Sequence, residues 1–95
     1  MTTRSSEGLD VRRRRLLFRS WHRGIREVDL ILGRFADARL AAMGEGELDE
    51  YEKLLDVPTP DMLAWVMGER SVPPEQQTPL LAEMIDFHIS GKAAR

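Results

Sequence analysis

Apolar residues recur along this chain at intervals of three and four and nowhere alternate, which is the spacing of amphipathic helices and not of strands. Leu9, Leu16, Leu17 and Trp21 give a first helix its apolar contacts; Asp10 can cap it, and it runs to about His22. Gly24 interrupts the pattern and suits the left-handed residue that commonly ends a helix. Val28, Ile31, Leu32, Phe35 and Leu40 then mark a longer helix from about Ile25 to Met43, stopped by Gly44 and Gly46. ELDEYEKLLD, residues 47–56, places Leu48, Tyr51, Leu54 and Leu55 on one side of a third helix that Pro58 closes. Thr59-Pro60 reads as a cap followed by proline at the first helical position, where the missing N–H costs nothing. That fourth helix carries Met62, Leu63, Trp65 and Val66 and ends at Gly68. Thr78-Pro79 repeats the signal for a fifth, with Leu81, Met84, Ile85 and His88 on one face and Gly91 as its stop. The expected fold class is all-α, a small single-domain five-helix bundle over residues 9–91, with polar tails at 1–8 and 92–95.

Composition narrows the classes. Ninety-five residues with 42% hydrophobic content make one domain that buries roughly 60–65% of its unfolded surface, leaving little room for a deep catalytic pocket. Cysteine is absent, so neither disulfides nor thiolate metal sites contribute. No apolar run approaches the ~20 residues of a membrane span, and no apolar stretch follows the N-terminal arginines as in a secretory signal. Glu7 and Asp10 weigh against a mitochondrial presequence, so a soluble intracellular protein is expected, cytoplasmic before mitochondrial. The net charge of -2 conceals a dipole: residues 1–40 hold ten arginines against five acids, and residues 41–95 hold four basic groups against eleven acids. Such a distribution orients a partner during encounter.

Candidate chemistry is sparse. His22 and His88 stand on different helices, and no phosphate-cradling loop or nucleophile motif is present, so an enzyme is not expected. Glu45, Glu47, Asp49, Glu50 and Glu52 lack the alternation of a calcium loop and read as a solvated face of the third helix. Arg12–Arg15 wrap most of a helix circumference, since consecutive residues are ~100° apart. They read either as a phosphate-binding patch of a small nucleic-acid-binding regulator or as a solvated helix face, open to an anionic partner and dispensable for the fold. Arg23-Gly24-Ile25-Arg26-Glu27 is the remaining constellation. It is either a capped helix–helix corner with a local ion pair, or a rigid polar contact site in which bare glycine backbone lets a partner approach.

Arg23-Gly24-x-x-Glu27 resembles the RGxxE signature of the succinate dehydrogenase assembly factor 2 family, the bacterial and mitochondrial flavinylation factors. RLLFRSWHRGIREVDLILGRFADARL resembles that family's first two helices, and YEKLLDVPTPDMLAWVMG, residues 51–68, its third and fourth; the likeness spans about residues 12–90. Departures are mild: Val28 follows the signature glutamate, and Gly33 stands where a better helix former is expected. The resemblance implies a helper that binds the flavoprotein subunit of succinate dehydrogenase, and in some bacteria of fumarate reductase. It further implies that the helper promotes the bond between a histidine of that subunit and the 8α-carbon of FAD. Arg23, Gly24 and Glu27 are carried over as partner-binding residues by that match, and Arg26 is added on the physical argument alone. No cofactor is expected to stay bound, no nucleic acid or membrane is an expected partner, and a monomer is expected.

Overall fold

Helix formation begins at Asp10, whose carboxylate accepts a hydrogen bond from the Arg13 N–H at 2.8 Å and so satisfies one of the donors orphaned at a helix start. The computed structural model describes residues 8–90. Five α-helices follow one another: α1 (Val11–Trp21), α2 (Arg26–Arg39), α3 (Glu45–Leu55), α4 (Thr59–Val66) and α5 (Pro79–Ile89). Short 3₁₀ turns stand at Leu40–Ala42 and Pro74–Gln76, and no strand occurs among the described residues. The all-α class and the five helices therefore stand as the periodicity predicts. The tail before Gly8, the stop at Gly91 and residues 92–95 lie outside the described residues.

Helix α2 is the central element, packed against α1, α4 and α5, while α3 packs against α1 and α5. Val28, Leu32 and Phe35 of α2 are wholly buried together with Leu48 and Tyr51 of α3, Met62 of α4 and Met84 of α5. Trp65 closes the same core at 6% exposure. The Phe35 ring meets Phe87 edge-on with centroids 5.6 Å apart. Burying side chains of this size contributes roughly 1.5–3 kcal/mol each.

Several boundaries differ from the sequence expectation, each for a local reason. Helix α2 stops at Arg39 and tightens into the 3₁₀ turn, after which Met43 turns extended and is buried. Gly46 does not stop a helix but lies inside the first turn of α3, because the extended Gly44 is the cap. The Glu47 carboxylate accepts the Gly44 N–H at 3.4 Å, and Glu45 and Glu47 suit the positive end of the helix dipole. At α4 the cap is Pro58, one residue before the expected Thr59, which is the first helical residue; its hydroxyl faces Arg23 at 3.4 Å instead of capping. The end of α4 matches a recognised motif. Gly68 adopts φ +77, its N–H reaches the Trp65 carbonyl at 3.2 Å, and the Glu69 N–H reaches the Ala64 carbonyl at 2.9 Å. Thr78 caps α5 as expected, accepting the Leu81 N–H at 3.1 Å.

Candidate functional site

The corner between α1 and α2 is made by one residue that only glycine accommodates easily. Helix α1 ends at Trp21, and His22 covers its last turn, with its N–H on the Arg19 carbonyl and Nδ1 2.7 Å from the Phe18 carbonyl oxygen. Gly24 then takes φ +98, reversing the chain so that Ile25 can open α2 in extended conformation. The Asp29 carboxylate accepts the Arg23 N–H at 2.6 Å and ties the turn to α2. Gly24, Ile25, Arg26 and Glu27 form a continuous exposed run, and nothing lies within 4 Å of where a Cβ on Gly24 would stand.

The signature residues divide between support and display. Arg23 turns inward. Its guanidinium donates to the carbonyls of Leu55 and of Val57 (2.7 Å) and to the Thr59 hydroxyl, so it satisfies carbonyls left open at the C-terminal end of α3. Its Nε is buried without a partner. Beside it Arg19 pairs with Asp56 at 2.9 Å. Arg26 and Glu27 point the other way, exposed and without ion-pair partners, so the local pair considered for this corner does not form. The arrangement is a rigid turn whose inward arginine anchors it to the α3–α4 linker while bare backbone and one charge of each sign face out.

Arg12–Arg15 are not one patch: Arg12 and Arg13 are tied into the fold, while Arg14 and Arg15 are exposed as the solvated reading expects. Arg12 reaches across to α3 and pairs with Glu45 (2.9 Å), Asp49 (2.6 Å) and Glu52 (3.2 Å). Hydrogen bonds to Asp49 and Glu52 hold its pKa above the ordinary arginine value. Arg13 pairs with Asp10 at 2.7 Å and donates to the carbonyls of Leu40 and Met43, capping the 3₁₀ turn. Arg14 donates to the Leu9 carbonyl at 2.7 Å, and Arg15 is exposed. Half of the run is therefore structural, and a row of four phosphate contacts does not exist. The acids of α3 are correspondingly less free than expected: three of them share Arg12, and Glu47 joins Glu83 around Arg39. The nucleic-acid regulator finds no support in this geometry.

The two histidines line separate clefts, His22 with Phe18, Arg19 and Arg23, and His88 with Glu27, Arg34 and Met67. Sequence reasoning missed two features. One is the buried hydroxyl pair of Ser20 and Tyr51, 2.6 Å apart, whose members also meet the carbonyls of Leu16 (2.7 Å) and Leu32 (3.3 Å). The other is Phe18, whose ring is 62% exposed and stacks on the His22 ring with centroids 3.9 Å apart. Its exposure was readable from its place opposite Leu16 and Leu17 on a helical wheel.

The described residues form a small helical bundle that braces an exposed glycine turn from within. The chain belongs to the family described as flavinator of succinate dehydrogenase, whose model matches residues 14–88. It is 38% identical over 82 residues to "FAD assembly factor SdhE" of Acetobacter pasteurianus, covering 86% of this chain and 75% of that one. It is 46% identical over 71 residues to "Succinate dehydrogenase assembly factor 2, mitochondrial" of Debaryomyces hansenii, covering 75% of this chain and 50% of that one. The protein of the same name from Dictyostelium discoideum is 37% identical over 76 residues, 80% of this chain and 53% of its own. The chain thus spans three quarters of the bacterial relative and about half of the mitochondrial ones. Among the described residues no helix is long and apolar enough to cross a membrane.

Proposed function

We propose that this protein binds the flavoprotein subunit of succinate dehydrogenase and promotes covalent attachment of FAD to a histidine of that subunit. Membership of the flavinator family, with the match running through the corner at Arg23–Glu27, is the observation that carries the reading. The reacting methyl belongs to the flavin and the nucleophile to the partner, so the chemistry resides in cofactor and client. This chain acts as a helper and not as a catalyst: it favours the client conformation in which histidine and flavin carbon are held close, by binding that conformation more tightly than others. Gly24, Arg26 and Glu27 meet the partner, and Arg23 holds the turn in place from behind. FAD stays with the client, the helper works as a single chain, and both act where the client folds, in a bacterial host the cytoplasm. The same reading extends to the flavoprotein of fumarate reductase where a host contains one.

The test is retrieval of the client. The intact protein, used as bait in a lysate of its host, should recover a flavoprotein subunit. In a strain deleted for the protein, that subunit should lose its covalent flavin and regain it on complementation. A deletion strain with undiminished covalent flavin would end this reading.

A further inference from the structure

The exposed side of α1 carries a stripe that belongs neither to the core nor to the corner. Val11, Arg14, Arg15, Phe18 and His22 follow one another at helical spacing, so all five fall within an arc of ~100°. Every one of them is exposed, with Val11 at 53% and Phe18 at 62%. A ring that open on so small a domain lowers stability little when removed and exposes apolar area to water; it is the kind of group that anchors an interface. It is also held still. The stack on His22, with rings inclined by only 17°, and the contact of His22 Nδ1 with the Phe18 carbonyl reduce the rotamer freedom an anchor would lose on binding.

Charge tells what lies opposite. The other arginines of α1 are matched by the chain's own acids: Arg12 by Glu45, Asp49 and Glu52, Arg13 by Asp10, Arg19 by Asp56. Arg14 donates to a carbonyl oxygen and lies near enough to Asp10 to help lower its pKa, Arg15 has no bonded partner, and α1 contains no acid. The stripe is therefore positive on a protein whose net charge is negative. It ends at His22, two residues along the chain from the exposed Gly24–Glu27 run, so the two exposed stretches are neighbours in sequence. Two arginines flanking an aromatic ring make a poor phosphate track, and the exposed Glu27 of the corner repels phosphate.

We infer that the Val11–His22 stripe of α1 is the second half of the docking surface, seating Phe18 in an apolar recess of the flavoprotein subunit with Arg14 and Arg15 against acidic residues around it. This rests on the function proposed above, and the experiment separates the two. Binding of the purified full-length protein to the purified flavoprotein subunit is measured by calorimetry at about 0.01 and 0.1 M salt, where the screening length is about 30 and 10 Å. Far-UV circular dichroism checks that each variant is folded. Phe18→Ala should weaken binding roughly tenfold or more at both salt concentrations, as an anchor does. The Arg14→Gln/Arg15→Gln double variant should weaken it mainly at the lower salt and flatten the salt dependence, and Lys53→Gln, on α3, should bind as the unmodified protein does. If Gly24→Arg abolishes binding while Phe18→Ala and the arginine pair leave it unchanged, the corner reading stands and the stripe is no interface. Absence of binding by the unmodified protein would overturn both. Duplex DNA bound at ~0.1 M salt and released by the arginine pair, with flavoprotein binding unaffected, would make the stripe a nucleic-acid surface and overturn the inference.

Discussion

The indole of Trp21 lies so close against the backbone of Gly33 that a Cβ at position 33 would stand 2.2 Å from its ring. Helix α2 runs unbroken through this glycine, which brings the last residue of α1 onto the middle of α2, close to the glycine corner. Gly33→Ala gains up to ~1 kcal/mol of helix propensity but must displace the centre of a rigid ring, which overpacking data place at ~1–3 kcal/mol. We expect a net loss of about 1 kcal/mol in denaturant unfolding, turning into a small gain when Trp21 is replaced by leucine. A stabilised Gly33→Ala with Trp21 in place would show that the contact is not tight.

The buried pair of Ser20 and Tyr51 joins α1 to α3 and also reaches α2 through the Leu32 carbonyl. Tyr51→Phe should cost ~1–2 kcal/mol, because it leaves buried acceptors unmatched. Burial pushes the Tyr51 pKa up, so the folded protein holds this proton where the unfolded chain releases it. The associated stability is therefore complete below the ordinary tyrosine value of ~10 and declines as pH rises above it, by about 1.4 kcal/mol per unit. Tyr51 is the only tyrosine, so tyrosinate absorbance should rise only as the protein unfolds. Absorbance that rises near pH ~10 while the fold stays intact would contradict the burial.

Arg12 and Arg15 test the division of the arginine run. Arg15→Gln should change stability by no more than ~0.5 kcal/mol, as at ordinary surface positions. Arg12→Gln leaves Glu45, Asp49 and Glu52 facing one another and should lower the Tm clearly more than Arg15→Gln does. Because these charges are partly exposed, that difference should shrink in ~1 M salt. Equal Tm values at low salt would return Arg12 to the solvated class.

Acid should remove the cap of α1 selectively. The Arg13 N–H and guanidinium hold the Asp10 carboxyl below the usual carboxylate range, so its contribution is present above the unfolded value of ~4 and is lost as pH falls through the lower folded value. The Tm gap between the unmodified protein and Asp10→Ala should therefore narrow as pH drops below ~4. A gap that is the same at neutral pH and in strong acid would mean that the charge of Asp10 plays no part.

Features encoded by neighbours in the chain were legible from the sequence. The five helices follow from apolar spacing, Thr78 from its cap-and-proline context, and the positive φ of Gly24 from its place between two amphipathic segments. Features decided by residues 30 to 40 positions away were not. The acids that collect Arg12 and the linker carbonyls that collect Arg23 arrive only when α3 packs beside α1. Thr59 has the local sequence of a cap, and nothing near it in the chain reveals that its hydroxyl meets Arg23. The corner was found as a constellation, but its division into an inward Arg23 and an outward Gly24, Arg26 and Glu27 is a product of the tertiary fold.

On the proposed function, the outward corner engages the flavoprotein subunit. Gly24→Arg places a long side chain where partner backbone should approach, and at φ +98 it costs about 1–2 kcal/mol of strain, with open space where its Cβ would stand. Glu27→Ala removes an exposed charge whose loss at a desolvated interface costs ~2–5 kcal/mol of binding. The decisive measurement is in-gel flavin fluorescence of the denatured flavoprotein subunit, which reports covalent flavin alone, in a strain whose only helper is one of these variants at unmodified expression level. Both variants, helical and soluble, should give little or no fluorescence. Fluorescence equal to that with the unmodified protein would mean that the corner is only a helix junction and that the partner docks elsewhere.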